Sequence, residues 1–532
     1  MTPCGIGYQD LLDPKTITET TMQSEQQRVL RNTIPDALAR AVRRSPNKVA
    51  LRFGERSWTY RELEAAAASV GAALQRWGLR PGDRVAAFGK NSDAYVLLWL
   101  GCLRAGLIHV PVNFSMTRGE VEYIVAQSGA SALFADPALA AHIEGLPCPL
   151  LGSLHGGGQR DVLTAAKGPA GEILATLDDA MPAQILYTSG TTSAPKGAVL
   201  THRALLAEYM SAIATCDIKP EDYSLAALPL YHSAQMHVFL MPLLLMGGSI
   251  LLAQSPEPGF CLRTVREAGI TSFFAPPTVW IALLRHADFD PLQLASLTKA
   301  YYGASIMPLP VLLELRERLP ALGFFNCYGQ SEIGPLATVL GPQEHRERPA
   351  SAGRPVLNVE TRIVDEQMQD ARPGELGEIV HRSPQLLTEY WDKPQQTTEA
   401  FSGGWFHSGD LGYMDEGGYL YVVDRIKDVI NSGGVLVSSR EVEECLYQHE
   451  AVAEVAVFAL PHPKWVEAVA ACVVLKRETQ AEEQALLGHA RAALAPYKVP
   501  KRIVFVADLP RNTAGKLLKR QLREDYAGLF SD

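Results

Sequence analysis

The chain has 532 residues, room for three or four domains or subdomains at about 150 residues each, which excludes a peptide hormone or a small disulfide scaffold. Its 47% hydrophobic and 20% charged residues are a globular composition, and 49 Lys+Arg against 58 Asp+Glu give a net charge of −9, which argues against a broad polyanion-binding face and so against a nucleic-acid partner. The eight cysteines stand far apart with no metal-ligand spacing, as expected of reduced thiols.

Residues 1–33 read as a polar N-terminal extension without the basic start and apolar stretch of a secretory signal, so a cytoplasmic location is expected. A helix is predicted from Ile34, with Pro35 in its first turn, then a strand at Val49 to Phe53 and a helix at Tyr60 to Trp77. A strand at Arg84 to Phe88, a helix around Tyr95 to Arg104 and a strand at Ile108 to Val112 follow, an alternation that implies a parallel sheet. A second alternating series starts near Gln184 and runs through Thr271 to Phe274, Lys299 to Tyr302 and Gly323 to Asn326. Two α/β subdomains are therefore expected, about 34–182 and 183–350. The apolar run Val238 to Ala253 is shorter than the roughly 20 residues a membrane span needs and is broken by Pro242 and Gly247-Gly248. It reads as a buried helix, turn and strand, with no transmembrane segment expected and peripheral membrane contact left open. Short β-like runs at Val359 to Val364 and Glu378 to His381 predict a small β unit over 351–424. Mixed α and β patterning over 425–532 predicts a separate α+β C-terminal domain.

The most chemical segment is Tyr187-Thr-Ser-Gly-Thr-Thr-Ser-Ala-Pro-Lys-Gly197. Its backbone N–H groups around Gly190, with the hydroxyls of Thr188, Ser189, Thr191 and Thr192, can surround phosphate oxygens while Lys196 adds a charge. It is not a P-loop, since Lys196 is followed by Gly197-Ala198 and not by a hydroxyl. Further segments are Asn326-Cys-Tyr-Gly-Gln-Ser-Glu332, Gly404-Trp-Phe-His-Ser-Gly-Asp410, Asp424-Arg-Ile-Lys-Asp428 and Pro510-Arg-Asn-Thr-Ala-Gly-Lys516.

These segments, in this order, resemble the core motifs of the adenylate-forming superfamily of acyl-CoA synthetases, peptide-synthetase adenylation domains and luciferases. The resemblance implies an α/β fold: a large N-terminal domain of two α/β subdomains and a small β-barrel, then a mobile C-terminal domain turning about a hinge near Lys427. It implies Mg2+, ATP and CoA, with a carboxylic acid first converted to its acyl-adenylate and then cleaved by a thiol, and a homodimer. Tyr328 would stack on adenine, Asn326 would bond its amine, and Glu332 is a hard oxygen ligand for magnesium, with Ser331 keeping a hydroxyl where Thr is usual. Gly303 and Ala304 resemble the adenine-side loop, where small residues let backbone approach the base. Asp410 matches the ribose-binding carboxylate, Arg425 adds a donor, and Lys516 matches the lysine that bridges carboxylate and α-phosphate. Gly433 and Gly434 match the glycines of the pantetheine channel, and Trp465 resembles an aromatic near the CoA nucleotide. Ser193 replaces a common Gly, and relatives often carry Pro near Ser439.

From Tyr223 to Pro256 there is no Asp, Glu, Lys or Arg, so nothing there would pair a substrate ammonium. The segment Pro229 to His237 resembles the acyl-CoA synthetase version, with His232 bordering acyl and thiol sites. The expected acyl pocket comprises His232, Met236, Tyr302, Gly329 and Gln330, with Phe239 at its wall, and a hydrophobic, fatty acid is the expected ligand. His237 reads as a core histidine. The alternatives are an acyl-AMP ligase that loads a carrier protein, and an aryl-CoA ligase.

Overall fold

The computed structural model describes residues 30–169, 171, 173, 175–188, 195–432, 435–462, 464–476, 479–511 and 517–530. Several predicted elements fall where the patterning put them: strands at Val49–Phe53, Arg84–Phe88 and Ile108–Val112, and helices at Ile34–Arg44 and Tyr60–Arg76. Thr59 caps the last of these reciprocally with Glu62, whose Oε2 accepts from Thr59 N at 2.8 Å while Glu62 N donates to Thr59 Oγ1 at 3.3 Å. The helix Asp93–Arg104 is apolar nearly all round and accordingly buried on every face but its last residue, with Leu97, Leu98 and Trp99 fully inside.

Two large sheets organise the N-terminal part. A six-stranded sheet runs in the order Leu150–Ser153, Ala132–Ala135, Arg84–Phe88, Ile108–Val112, Pro182–Thr188 and Lys196–Thr201. Its neighbours are parallel except for the last pair. A nine-stranded sheet runs from Arg354–Pro355 through Leu336–Leu340, Gly323–Gly329, Lys299–Gly303, Ser272–Phe274, Tyr223–Ala226, Ser249–Leu252 and Val49–Phe53 to Arg56–Thr59. The expected division at 182/183 does not follow the sheets. Val49–Phe53 pairs parallel with Ser249–Leu252, Leu51 opposite Ile250, so the chain lays down two strands of the nine-stranded sheet before it builds the six-stranded one. Conversely, Pro182–Thr188 and Lys196–Thr201 complete the first sheet.

The apolar run after Tyr231 forms a π-helix at Ala234–Leu240, a short α-helix at Met241–Met246 and the strand Ser249–Leu252. A short π segment inside a helix re-aims side chains, and such segments are frequent at functional sites. Among the described residues no helix is long and apolar enough to cross a membrane. The β unit is a four-stranded antiparallel sheet, Glu360–Val364, Gly377–Arg382, Phe406–Met414 and Leu420–Arg425, with no ladder between its first and last strands among the described residues where a barrel was expected. The C-terminal part has its own core, built on the pair Val452–His462 and Val466–Leu475 and the helices Ser439–Tyr447 and Glu483–Ala493.

Candidate active site

The two strands that bracket the phosphate-loop sequence are antiparallel partners, with Thr188 opposite Lys196. Ser189, Gly190, Thr191 and Thr192 lie outside the described residues, but their flanks fix where the loop begins and ends. Thr188 Oγ1 donates to Glu332 Oε1 at 3.1 Å, so the loop's first residue meets the predicted magnesium ligand. Glu332 is nearly buried, and the same Oε1 accepts from Tyr390 OH at 3.1 Å. Lys196 Nζ stands 5.2 Å from the centroid of the Tyr390 ring. The segment around Tyr390 is laid along Lys196–Thr201 as an extra strand: Thr388 N donates to Val199 O, Val199 N to Glu389 O at 2.9 Å, and Trp391 N to Gly197 O at 2.7 Å. Leu387 N donates to Glu332 O at 2.8 Å. Tyr390 was not singled out by the sequence; the only local signal was an aromatic pair, Tyr390-Trp391, in an otherwise polar stretch.

A second cluster gathers Tyr328, Asp410 and Arg425. Tyr328 OH donates to Asp410 Oδ2 at 2.6 Å, and Arg425 Nε meets Asp410 Oδ1 at 2.6 Å. Asp410 and Arg425 are cross-strand neighbours, which is why residues from two separate motifs converge. Burial works against the Arg425 charge, but Asp410, Tyr328 and Glu332 outweigh it and its pKa rises. Asp410 is held from behind as well. Its N–H donates to Ser408 Oγ at 3.0 Å, Gly409 N donates to Glu378 Oε1 at 3.1 Å, and His407 Nδ1 lies 2.8 Å from Glu378 Oε2. Asn326 Nδ2 donates to Ser351 O at 2.9 Å.

Two glycines are imposed by close approach. A Cβ on Gly303 would lie 2.2 Å from Cys327 O, and one on Gly329 would lie 1.9 Å from Pro335 O. Next to Gly303, Ala304 takes φ +63, a left-handed conformation that a non-glycine residue adopts at a cost. Ala304 lines a small cavity with Leu228, Pro229, His232, Gln235, Phe274 and Pro276. The cavity holds about 10 Å3, space for roughly one water. Behind it stands an aromatic pack: Phe239 stacks on Phe274 at 4.4 Å and touches Tyr301 at 4.8 Å, and Tyr301 touches Phe325 at 5.0 Å.

The expected acyl-pocket residues divide. His232 is at the cavity, and Ser233 Oγ is 2.9 Å from Ser331 Oγ, which ties the His232 loop to the Glu332 turn. Met236 is buried in the π-helix, and its neighbour Gln235 reaches the cavity. Tyr302 does not line it. Strand alternation turns Tyr302 to the opposite face, where its buried OH donates to His345 Nε2 at 2.9 Å, while Tyr301 packs against Phe239 behind the cavity. Gly329, at the end of the strand Gly323–Gly329, and Gln330 just after it also lie off the cavity, with Gln330 Nε2 3.4 Å from Ser408 O.

His237 is a core histidine. Its Nε2 bonds Gln184 Oε1 at 2.7 Å and therefore carries the proton, while Nδ1 accepts from Tyr209 OH at 2.8 Å. Burial, and to a lesser degree His109, push its pKa down to about 3. Lys427 lies in the turn Ile426–Asp428, its pKa lowered by burial and by Arg425. Two ammonium groups lie near the Trp465 ring, Lys464 Nζ at 5.1 Å and Lys501 Nζ at 5.0 Å from its centroid. Gly433, Gly434 and Lys516 lie outside the described residues. Among the described residues no cluster of three or more His, Cys, Asp or Glu could hold a metal ion. Magnesium sites that use one carboxylate plus substrate phosphates need no such cluster, and the hard oxygens of Glu332 and Thr188 suit that ion.

This geometry brings phosphate-loop flanks, a hard carboxylate, a Tyr-Asp-Arg cluster and a small apolar cavity together, the groups that a nucleotide-dependent acid-activating site would require. Comparison with known proteins agrees: residues 38–391 match the AMP-binding enzyme family and residues 441–516 the AMP-binding enzyme C-terminal domain, so the chain belongs to that family. It is 36% identical to a feruloyl-CoA synthase of Amycolatopsis sp over 487 residues, covering 92% of this chain and 98% of the relative. It is 32% identical to a long-chain-fatty-acid–CoA ligase of Bacillus subtilis (strain 168), covering 93% of this chain and 94% of the relative. An anthranilate CoA ligase solved in complex with anthranoyl-AMP superposes with a TM-score of 0.87 at 26% identity, over 93% of this chain and 97% of that one. The chain is an adenylate-forming acyl-CoA ligase, an enzyme class that uses ATP, Mg2+ and CoA.

Proposed function

We propose that the acid activated here is an uncharged, hydrophobic carboxylate, aromatic in preference to long-chain aliphatic, and that the acyl group is passed from acyl-AMP to CoA. The observation that carries this reading is the aromatic pack of Phe239, Phe274 and Tyr301, of which Phe274 lines the cavity and the other two stand behind it, a ring-rich apolar wall that suits a planar acid better than an extended alkyl chain. The 36% identity to a feruloyl-CoA synthase supports it. The charge-free stretch from Tyr223 to Pro256 disfavours an amino acid or a dicarboxylate.

In the first step a carboxylate oxygen attacks the α-phosphorus and pyrophosphate leaves. In the second the thiol sulfur attacks the acyl carbon, AMP leaves and the thiol proton goes to solvent. In this reading Tyr328 and Asn326 hold the base, Asp410 accepts from the ribose hydroxyls, and Thr188, Ser189, Thr191, Thr192 and Lys196 bind phosphate oxygens. Glu332 would hold magnesium, which supplies charge neutralisation at the phosphates. Lys516 would stabilise the charge that develops in the first step only. Lys427 is the hinge, Gly433 and Gly434 line the thiol channel, and Lys464 and Lys501 lie near Trp465 as cations for a phosphate-bearing CoA nucleotide.

A fatty substrate is the second reading, favoured by the 32% identity to a long-chain ligase. A panel of cinnamic, benzoic and saturated C6 to C16 acids, incubated with ATP and CoA and read by mass spectrometry, tests both. Higher kcat/KM on the aryl acids is the expected result. Best turnover on a C12 or longer chain would replace the aryl reading, and acyl-AMP accumulating without acyl-CoA would point to another acceptor.

A further inference from the structure

Tyr390 lies in none of the motifs described above, yet it touches two of them. Its hydroxyl and that of Thr188 converge on one oxygen, Glu332 Oε1, each at 3.1 Å. Its ring faces the Lys196 ammonium at 5.2 Å. A carboxylate oxygen can only accept, so the Tyr390 hydroxyl is the donor of the pair. Its backbone is equally constrained: Tyr390 N donates to Thr397 Oγ1 at 2.9 Å, and both its chain neighbours are bonded to the strand that carries Lys196. A side chain fixed so firmly between a carboxylate and a cation has few ways to move.

We propose that Tyr390 is a positioning residue for the metal-binding carboxylate, holding Glu332 in the orientation that meets magnesium on ATP and keeping the Lys196 ammonium over its ring until phosphate takes that place. This rests on the nucleotide-site reading above. Carboxylates that bind metals are themselves hydrogen-bonded, and loss of such an outer partner costs about 10- to 100-fold in metal affinity. Because Thr188 supplies a second donor to the same oxygen, loss of the Tyr390 hydroxyl alone belongs at the lower end of that range.

The test is isothermal titration of ATP into the full chain at a series of Mg2+ concentrations, without acid or CoA, for wild type, Tyr390→Phe, Glu332→Gln and the double variant. Tyr390→Phe should raise the Mg2+ concentration for half-maximal binding about tenfold and leave ATP affinity at saturating Mg2+ within about twofold. In the Glu332→Gln background the same substitution should add nothing, because both act through one carboxylate. Tyr390→Leu, which also removes the ring beneath Lys196, should weaken ATP even at saturating Mg2+. Thermal melts by circular dichroism report whether each variant is folded. An unchanged Mg2+ dependence in folded Tyr390→Phe, or an equal effect with and without Glu332, overturns the proposal. A wild-type chain that binds no ATP at any Mg2+ level would instead overturn the nucleotide reading, a separate failure.

Discussion

Ser439 offers a clean perturbation of the proposed domain rotation. Asp424 is the penultimate residue of the last strand of the four-stranded sheet, before Lys427, and Ser439 opens the first helix of the C-terminal part, after it. Ser439 N donates to Asp424 Oδ2 at 2.8 Å and Ser439 Oγ to the same oxygen at 2.7 Å, and both residues are buried. These bonds span the proposed hinge, so an arrangement rotated about Lys427 would have to give them up. Hydrogen bonds to a charged group contribute about 1.5–3 kcal/mol each, so the N–H alone biases the two arrangements roughly ten- to a hundredfold. Ser439→Pro removes that N–H where proline suits the local structure: Ser439 is the first residue of its helix, a position proline favours, and Ser438 before it is extended at φ −70, ψ 123. Asp424 Oδ1 keeps the Arg425 N–H at 2.8 Å, and Oδ2 keeps the longer bond from Ser438 Oγ at 3.5 Å. Ser439→Ala, which keeps the N–H and loses only the hydroxyl, is the control. Single-turnover acyl-AMP formation and CoA-dependent acyl-AMP consumption, measured separately, should change in ratio about tenfold or more in Ser439→Pro relative to Ser439→Ala, the half-reaction run by the other arrangement gaining. Equal changes in both half-reactions, or none, with an unaltered melting temperature, would refute the idea that these bonds bias the rotation.

Lys516→Ala should depress acyl-AMP formation about 10²- to 10³-fold while sparing conversion of supplied acyl-AMP to acyl-CoA, checked by pyrophosphate release against acyl-AMP consumption. Acid should destabilise the fold through buried neutral histidines. Burial holds His109 and His237 down to about 3, and His202, His345 and His381 to about 4, from an ordinary 6.5. Their stabilisation is complete above pH 6.5, where both states are neutral, and is lost as pH falls toward 4, because only the unfolded chain takes up the protons. Each contributes a slope of up to about 1.4 kcal/mol per pH unit, so denaturant midpoints should fall steadily from about pH 6.5 to about pH 5, and a flat profile would refute the assignment.

The parts of this molecule that local pattern encodes were legible in its sequence. Strands with both faces buried, such as Ile108–Val112, are short apolar runs between turns, and the nucleotide motifs pack donor chemistry at fixed local spacing. Pairing across about 200 residues leaves no local trace. The register of Leu51 against Ile250 is set by packing between surfaces that the chain completes much later, so the true membership of the two sheets could not be read from alternation. Tyr390 escaped for the same reason: its two side-chain partners are 58 and 194 positions away, and nothing beside it in the chain marks it as more than an aromatic in a loop.

The tyrosine pair shows where such reading stops even inside a correctly placed strand. Tyr301 and Tyr302 were rightly seen as a strand feature, and a strand sends successive side chains to opposite faces, so only one of the two can face the side on which Phe239 and Phe274 pack. Nothing in the pair itself says which. The choice falls to the partners: Phe239 and Phe325 make an apolar surface on one face, while His345 waits on the other. His345 gives the proton on Nδ1 to Gly341 O, at 2.7 Å, so its Nε2 is an acceptor and requires a buried hydroxyl. Tyr302 satisfies it at 2.9 Å, and Tyr301, whose own hydroxyl donates to Cys216 O at 2.8 Å, is left to pack its ring on Phe239, behind the cavity that His232 lines.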